Sequence, residues 1–386
     1  MRRTIFDDEH DDFRDAVKTF IAREVVPHHE RWREDRLVSR DMWLAAGRQG
    51  LLGISIPAEH GGAGTEDFRF NAVLTEELAR AGLALASSVG IHTDVVAPYL
   101  VECTTEEQRG RWLPGFCSGE IVTAIGMTEP GAGSDLASMR TTARRDGDGW
   151  VLNGSKTFIT NGTAADLVVV AARTGSGPRE ITLFAIEEGV EGFTRGRKLH
   201  KVGQPEADTA ELFFEDVHLG GEQVVGELHG GFTTMMRHLP QERLHSACAN
   251  IAHAAGALEQ TLEYAKERQA FGQAIGTFQH SRFLLAELVT EIEVTQTFID
   301  RCVAEYVTGT LPDVETAKAK WWSAQVQNRV IDACVQLHGG YGYMDEYPVA
   351  RAWADARVTK IWAGSNEIMK EVIGRSLGLG QARRVS

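Results

Sequence analysis

Apolar residues recur at helical spacing from the amino terminus to about residue 120. Phe13, Ala16, Val17, Phe20 and Ile21 share one helical face, and the acidic residues before them suit the positive end of a helix dipole. Val73, Leu74 and Leu78 continue the pattern into an alanine-rich stretch, after a break at Pro57 and Gly61-Gly62-Ala63-Gly64. Between 121 and 233 the period shortens to two. Leu167 to Val170, Ile181 to Ile186 and Ala210 to Val217 read as short strands between glycine, proline and charged turns. Asn153-Gly154, set between Trp150-Val151-Leu152 and Thr157-Phe158-Ile159, predicts a hairpin turn, because Asn-Gly readily supplies two positive φ angles. Close-set strands of this kind predict a small barrel or sandwich. From 234 onward longer helices return. Leu244, Cys248, Ile251, Ala255, Leu258 and Leu262 form one stripe, and Phe283, Leu284, Leu288 and Ile292 begin another, so an antiparallel bundle follows. The predicted fold is α+β, with a helical domain over 1–120, a β domain over 121–233 and a four-helix bundle over 234–386. No internal repeat interrupts it.

Composition narrows the functions open to such a chain. Its 386 residues are 43% apolar and carry a formal charge of -14, which repels phosphate backbones and argues against nucleic acid as partner. Uninterrupted apolar runs such as Leu167 to Ala172 are too short to cross a bilayer. Arg2-Arg3 is followed by Asp7-Asp8-Glu9 where an export signal would place an apolar core, so a cytoplasmic protein is expected. Cys103, Cys117, Cys248, Cys302 and Cys334 are scattered and odd in number, which predicts free thiols; no H-E-x-x-H pair points to a metal.

Four segments carry candidate chemistry. Glu129-Pro130-Gly131-Ala132-Gly133-Ser134-Asp135 combines glycines that let backbone N–H groups approach an anion with a serine donor, although an ordinary turn would look the same. Gly374-Arg375-Ser376-Leu377-Gly378 matches a nucleophile elbow in letters only, since no strand precedes it. His338-Gly339-Gly340-Tyr341-Gly342-Tyr343 reads either as a helix cap or as a binding turn. Arg268-Gln269-Ala270-Phe271-Gly272 reads either as a cation opposite a helix dipole or as a binding element.

Taken together, longer motifs around these segments resemble the acyl-CoA dehydrogenase family over about residues 5 to 375. The resemblance is carried by Met127-Thr128-Glu129-Pro130-Gly131-Ala132-Gly133-Ser134-Asp135 and by Asn153-Gly154-Ser155-Lys156-Thr157-Phe158-Ile159-Thr160-Asn161-Gly162. It continues through Tyr264-Ala265-Lys266-Glu267-Arg268-Gln269-Ala270-Phe271-Gly272 with Phe278-Gln279, and through Gln336-Leu337-His338-Gly339-Gly340-Tyr341-Gly342-Tyr343. Ile361-Trp362-Ala363-Gly364-Ser365-Asn366-Glu367-Ile368 closes it. The resemblance implies FAD held between the β domain and the bundle, with its adenosine half reaching a neighbouring subunit. Met127, Thr128 and Thr160 would bond the flavin ring and Phe158, where the family usually has Trp, would cover it. Gly133 and Ser134 would meet the flavin phosphates or the substrate's CoA. Arg268, Phe271, Phe278, Gln279, Gln336, Gly339 and Gly340 would meet the partner subunit's FAD, and Ser365 and Glu367 the ribityl–phosphate stretch.

The implied reaction is α,β-dehydrogenation of an acyl thioester, with a carboxylate base for the α-proton and a hydride passed to flavin N5. The commonest family position for that base is held here by Ala363. Leu239-Pro240-Gln241-Glu242-Arg243-Leu244 resembles the long-chain and isovaleryl branch, whose glutamate lies on a helix of the last domain, and this makes Glu242 the expected base. Its structural alternative is an acid in a helix's first turn behind a proline at the first position. Arg243 would lie near substrate, with a plain surface charge as its alternative; the Ala363 N–H and Gly364 would face the thioester. The implied partners are an acyl-CoA or acyl-carrier-protein thioester, an electron-transferring flavoprotein and further copies of the chain in a homotetramer. Oxidase or monooxygenase chemistry on the same fold, and a base-less protein that only binds thioesters, are the competing readings. Small residues at Ala84, Ala86, Ser87, Ser88 and Gly90 predict room for a long or bulky acyl chain.

Overall fold

The computed structural model describes residues 2–379 and places helices first, then a sheet, then helices again. The first block holds α1 (Asp8–Phe20), α2 (His29–Asp35), α3 (Arg40–Arg48), α4 (Phe68–Ala81), α5 (Leu83–Gly90), α6 (Ala97–Glu102) and α7 (Glu106–Ser118). Of the predicted first stripe, Val17, Phe20 and Ile21 are buried, whereas Ala16 is exposed and His10 takes a core position. The histidine is kept there by a hydrogen bond of 3.2 Å between its Nε2 and Asp67 and by packing on Phe70. Between α5 and α6 the chain makes a π-helical turn over Ile91–Val96. The continuous run Leu83–Glu102 is apolar and long enough to span a bilayer, yet 83% of its apolar window is buried within the protein. Its hydrophobicity is that of a core helix.

The eight strands of the middle block join one sheet. They are β1 (Thr123–Gly126), β2 (Thr142–Asp146), β3 (Gly149–Thr160), β4 (Leu167–Arg173), β5 (Ile181–Glu187), β6 (Phe193–Lys198), β7 (Thr209–Leu219) and β8 (Val224–Val225). Their order is β6-β7-β3-β2-β4-β5-β8, with β1 lying parallel to β4. Leu167 to Ala172 are all buried, so β4 reads as a continuous apolar run because both its faces are covered.

Asn153-Gly154 does not turn a hairpin. Both residues lie inside β3, and the β2–β3 turn falls earlier, where Asp146 pairs Gly149 across Gly147 and Asp148. Gly154 instead marks a register break between Leu152 and Gly154 at φ 145°, where a Cβ would stand 2.6 Å from Thr141 Oγ1. A glycine in a strand can signal a bulge as readily as a turn, and the cross-strand contact decided between them.

The last block contains α8 (Gly231–Glu267), a small hairpin of β9 (Gln269–Ala270) and β10 (Gln273–Ala274), α9 (Gln279–Val307), α10 (Asp313–His338), α11 (Pro348–Ala356) and α12 (Asn366–Ser376). Leu244, Cys248, Ile251 and Leu258 of α8 pack with Leu288 and Ile292 of α9 and with Val326 and Val330 of α10 in one core. Phe283, predicted on the second stripe, is exposed in this single chain. All five cysteines are free, and the Gly374–Gly378 pattern falls on the end of α12 rather than on a strand–helix elbow.

Candidate active site

A second break in β3 builds the aromatic platform. The β3–β7 register slips between Lys156 and Ile159, and in that bulge Phe158 takes φ 59° and stands 68% exposed. A phenylalanine in the left-handed region is strained, and a bulge re-aims a side chain out of the alternating pattern. Beneath it Lys156 is fully buried and donates to Glu129 at 2.8 Å and to the Met127 carbonyl at 3.3 Å. Glu129 also accepts from the N–H groups of Arg140 at 2.6 Å and Thr141 at 2.9 Å. Thr157 N–H donates to the Thr128 carbonyl, so Met127 and Thr128 are tied to the strand that carries Phe158 and Thr160. Burial pulls the Lys156 ammonium down to about 8, against the attraction of Glu129. The loop beyond leaves Gly131, Gly133 and Ser134 exposed, with open space where side chains at the two glycines would stand.

Glu242 lies in the twelfth position of α8, not in a first turn. Pro240 sits inside the helix, where it removes one backbone donor without ending the run, so the helix-start explanation of this acid falls. Its side chain is buried, and among the described residues Oε1 has no hydrogen-bond partner. Burial pushes the carboxyl up to about 7, opposed by the Arg243 charge, the Tyr99 hydroxyl and His245. Arg243 is likewise buried, with its Nε unpartnered, which overturns the surface-charge reading of this residue. Desolvation pulls its guanidinium below the ordinary value, against the attraction of Glu242 and Asp313.

The turn that holds Ala363 is fastened from α10. Ala363 and Gly364 take φ 49° and 83° in succession, and the fully buried Lys320 donates its Nζ to the Gly364 carbonyl. Burial and the neighbouring Arg243 lower the Lys320 ammonium to about 7, with Glu367 acting the other way. Lys320 thus ties α10 to the Ala363–Gly364 turn. Ser365 caps α12 by accepting from Ile368 N–H, and Glu367 lies in that helix's first turn, its carboxyl lowered by its own backbone N–H and by Ser365.

Arg268, Gln336, Gly339 and Gly340 meet in a separate cleft of about 460 Å³, lined with Tyr264 and Tyr341 and by nothing from the β domain. Arg268 stacks over Tyr341 at 5.4 Å. Phe271, 99% exposed, makes an edge contact with Phe278 at 6.2 Å, and Gln279 opens α9 at the surface. A single chain therefore brings the expected cofactor residues into two groups. The small residues of α5 are accounted for by packing in one case: a Cβ on Gly90 would lie 2.1 Å from His245 Cε1, so His245 fills the room that glycine leaves.

Tyr99, Lys156 and Lys320 escaped the sequence reading. All three are fully buried, and no local pattern marks a tyrosine or lysine whose burial comes from distant elements. Lys156 was visible only as a letter of its motif.

The residues present fit FAD. An outward-facing aromatic on a strained bulge and a bare glycine loop are features with no packing role among the described residues. Family models for the acyl-CoA dehydrogenase N-terminal, middle and C-terminal domains match residues 7–120, 124–217 and 229–378. The chain is 47% identical over 379 residues to the mitochondrial long-chain specific acyl-CoA dehydrogenase of Sus scrofa, covering 97% of this chain and 88% of that one. An acyl-CoA dehydrogenase crystal structure from Geobacillus kaustophilus superposes with a TM-score of 0.95 at 44% identity, covering 97% and 100% of the two chains. One from Bacillus anthracis, complexed with FAD, superposes with a TM-score of 0.91 at 30% identity, covering 96% and 68%. With the α–β–α architecture, the exposed aromatic platform and a buried carboxylate already in place, these matches show that the chain belongs to the acyl-CoA dehydrogenase family, FAD-dependent oxidoreductases acting on the CH–CH bond of acyl-CoA.

Proposed function

We propose that Glu242 is the base of this reaction and that the substrate is a long-chain acyl-CoA. The observation that carries the assignment is a buried carboxyl with a partnerless oxygen and a pKa near 7, in a chain whose other family position for the base is an alanine. Near neutrality such a group is divided between its two forms, which suits a base that must accept a proton and later release it. Oε1 accepts the α-proton of the thioester while the Arg243 charge favours the ionised carboxylate before transfer. The Ala363 N–H, whose donor is untouched by the loss of a glutamate side chain, faces the thioester oxygen and stabilises the charge that develops there. Lys320 keeps that turn in place through the Gly364 carbonyl.

In this reading Met127, Thr128, Phe158 and Thr160 hold the flavin ring, and Gly133, Ser134, Ser365 and Glu367 line its phosphate side. FAD, when bound, supplies the acceptor for the β-hydride. Arg268, Phe271, Phe278, Gln279, Gln336, Gly339 and Gly340 serve the FAD of a neighbouring subunit in a homotetramer; the exposure of Phe271 and the detached cleft around Gly340 support this. The electron acceptor is an electron-transferring flavoprotein, typical of the family, and the five free thiols suit a cytoplasmic enzyme. The long acyl chain rests on the long-chain specific relative. Domain limits at 120 and 233 belong to the same reading.

The test is anaerobic titration of the flavin band with acyl-CoAs of increasing length and branching. Bleaching by long-chain substrates that is lost in Glu242→Gln supports the assignment. Full bleaching in Glu242→Gln refutes the base, and bleaching by short chains alone refutes the substrate class.

A further inference from the structure

Tyr99 sits on α6, wholly buried, with its ring 4.6 Å from that of His238 at a tilt of 57°. His238 lies one turn before Glu242 on α8, so the tyrosine is packed against the helix that carries the expected base. Among the described residues the Tyr99 hydroxyl has no hydrogen-bond partner, and neither has Glu242 Oε1 beside it. The two stand outside the geometry of a made hydrogen bond. A buried phenol and a buried carboxyl, each unsatisfied and each the other's neighbour, are an uncommon and costly arrangement in a native interior. The pairing is of side chains from two helices.

We propose that Tyr99 is a positioning residue for Glu242, whose hydroxyl donates to the ionised carboxylate and aims it at the α-carbon. The inference rests on Glu242 being the base. The groups around the carboxylate are Arg243 and His245 from α8 and Tyr99 from α6; around the phenol they are Glu242, Cys103 and Arg237. Arg243 and His245 act on Glu242 through charge alone, whereas Tyr99 is the neutral donor among them. A donor to the ionised form holds a carboxyl's pKa down, so burial raises Glu242 and Tyr99 restrains the rise. When the proton arrives on Glu242 that donation weakens, which distinguishes the two halves of the step.

The experiment compares the FAD-loaded parent, Tyr99→Phe and Glu242→Gln by anaerobic stopped flow, following flavin bleaching at saturating acyl-CoA across pH. Tyr99→Phe keeps the ring and removes only the hydroxyl. The expected result is an acid limb moved upward by about one pH unit and a rate at neutrality reduced roughly fivefold, with KM and FAD content unchanged. A packing role for the hydroxyl would not move the limb. The parent grown with 3-fluorotyrosine, a stronger donor, provides the opposite perturbation: its limb moves down, and it does not move when Tyr99→Phe is grown the same way. If Tyr99→Phe does not accumulate as folded protein, the fluorinated parent decides, and an unmoved limb there overturns the proposal. Tyr99→Phe indistinguishable from the parent, beside an inactive Glu242→Gln, overturns Tyr99 alone. An active Glu242→Gln overturns both the base and its positioning residue.

Discussion

Glu242→Gln separates activity from stability in a way that only a buried, ionisable base allows. The folded carboxyl is raised from 4.5 to about 7 by burial, whereas in the unfolded chain it keeps its ordinary value. A group raised on folding contributes its full stability below the unfolded pKa and loses it as pH climbs through the folded one. At 1.36 kcal/mol per pH unit, ionised Glu242 therefore costs the fold roughly 3 kcal/mol above neutrality. Glutamine is close in shape and never ionises, so it escapes that cost. The expectation is a variant that loses roughly 100- to 10,000-fold in bleaching rate, the usual contribution of a general base. The same variant resists urea better than the parent at pH 8.5 by up to roughly 3 kcal/mol, with the advantage gone at pH 4.5. The assay is urea unfolding of FAD-loaded protein at several pH values, followed by tryptophan fluorescence. Parallel pH profiles for parent and variant would refute the reasoning, because they would mean that Glu242 ionises no differently in the fold than in the coil.

Other parts of the site make independent predictions. The bleaching rate of the parent at saturating substrate is expected to rise with pH through about 7 as Glu242 ionises, and a profile flat from pH 5.5 to 8.5 would count against it. Lys156→Met strips Glu129 of its buried cation and is expected to destabilise the protein by about 3–5 kcal/mol, most of it recovered by adding Glu129→Gln; equal losses in single and double variants would contradict the ion-pair account. Phe158→Gly relieves the positive φ but removes the aromatic platform, so gel filtration should show lower FAD retention with no fall in unfolding midpoint. Gly90→Ala drives a methyl group into His245, which Thr75 at 3.0 Å and Asp94 at 3.2 Å hold in place; a loss of about 1–3 kcal/mol is expected, and a neutral result would show that the ring yields.

Much of this molecule is written in local pattern. Helical and two-residue periodicity place the α–β–α order, because each element must bury one face whatever its neighbours are. The family motifs likewise survive in one dimension, since a segment such as Met127–Asp135 is contiguous in the chain. Glu242 could be named from its motif, and the change at Ala363 made that assignment consequential. What the order of residues left open was decided by contacts between distant segments. Asn153-Gly154 is a fair hairpin signal, yet Thr141 against Gly154 makes it a bulge. Pro240 is a fair helix start, yet the helix begins nine residues earlier and runs through it, so Glu242 is no first-turn acid and Arg243 no surface charge; both are buried. Tyr99, Lys156 and Lys320 are ordinary letters until α6, β3 and α10 carry them inside. Burial, desolvation and the pairing of orphaned polar atoms depend on what lies across the fold, and so the ionisation of Glu242, the turn behind Ala363 and the phenol beside Glu242 belong to the tertiary structure alone.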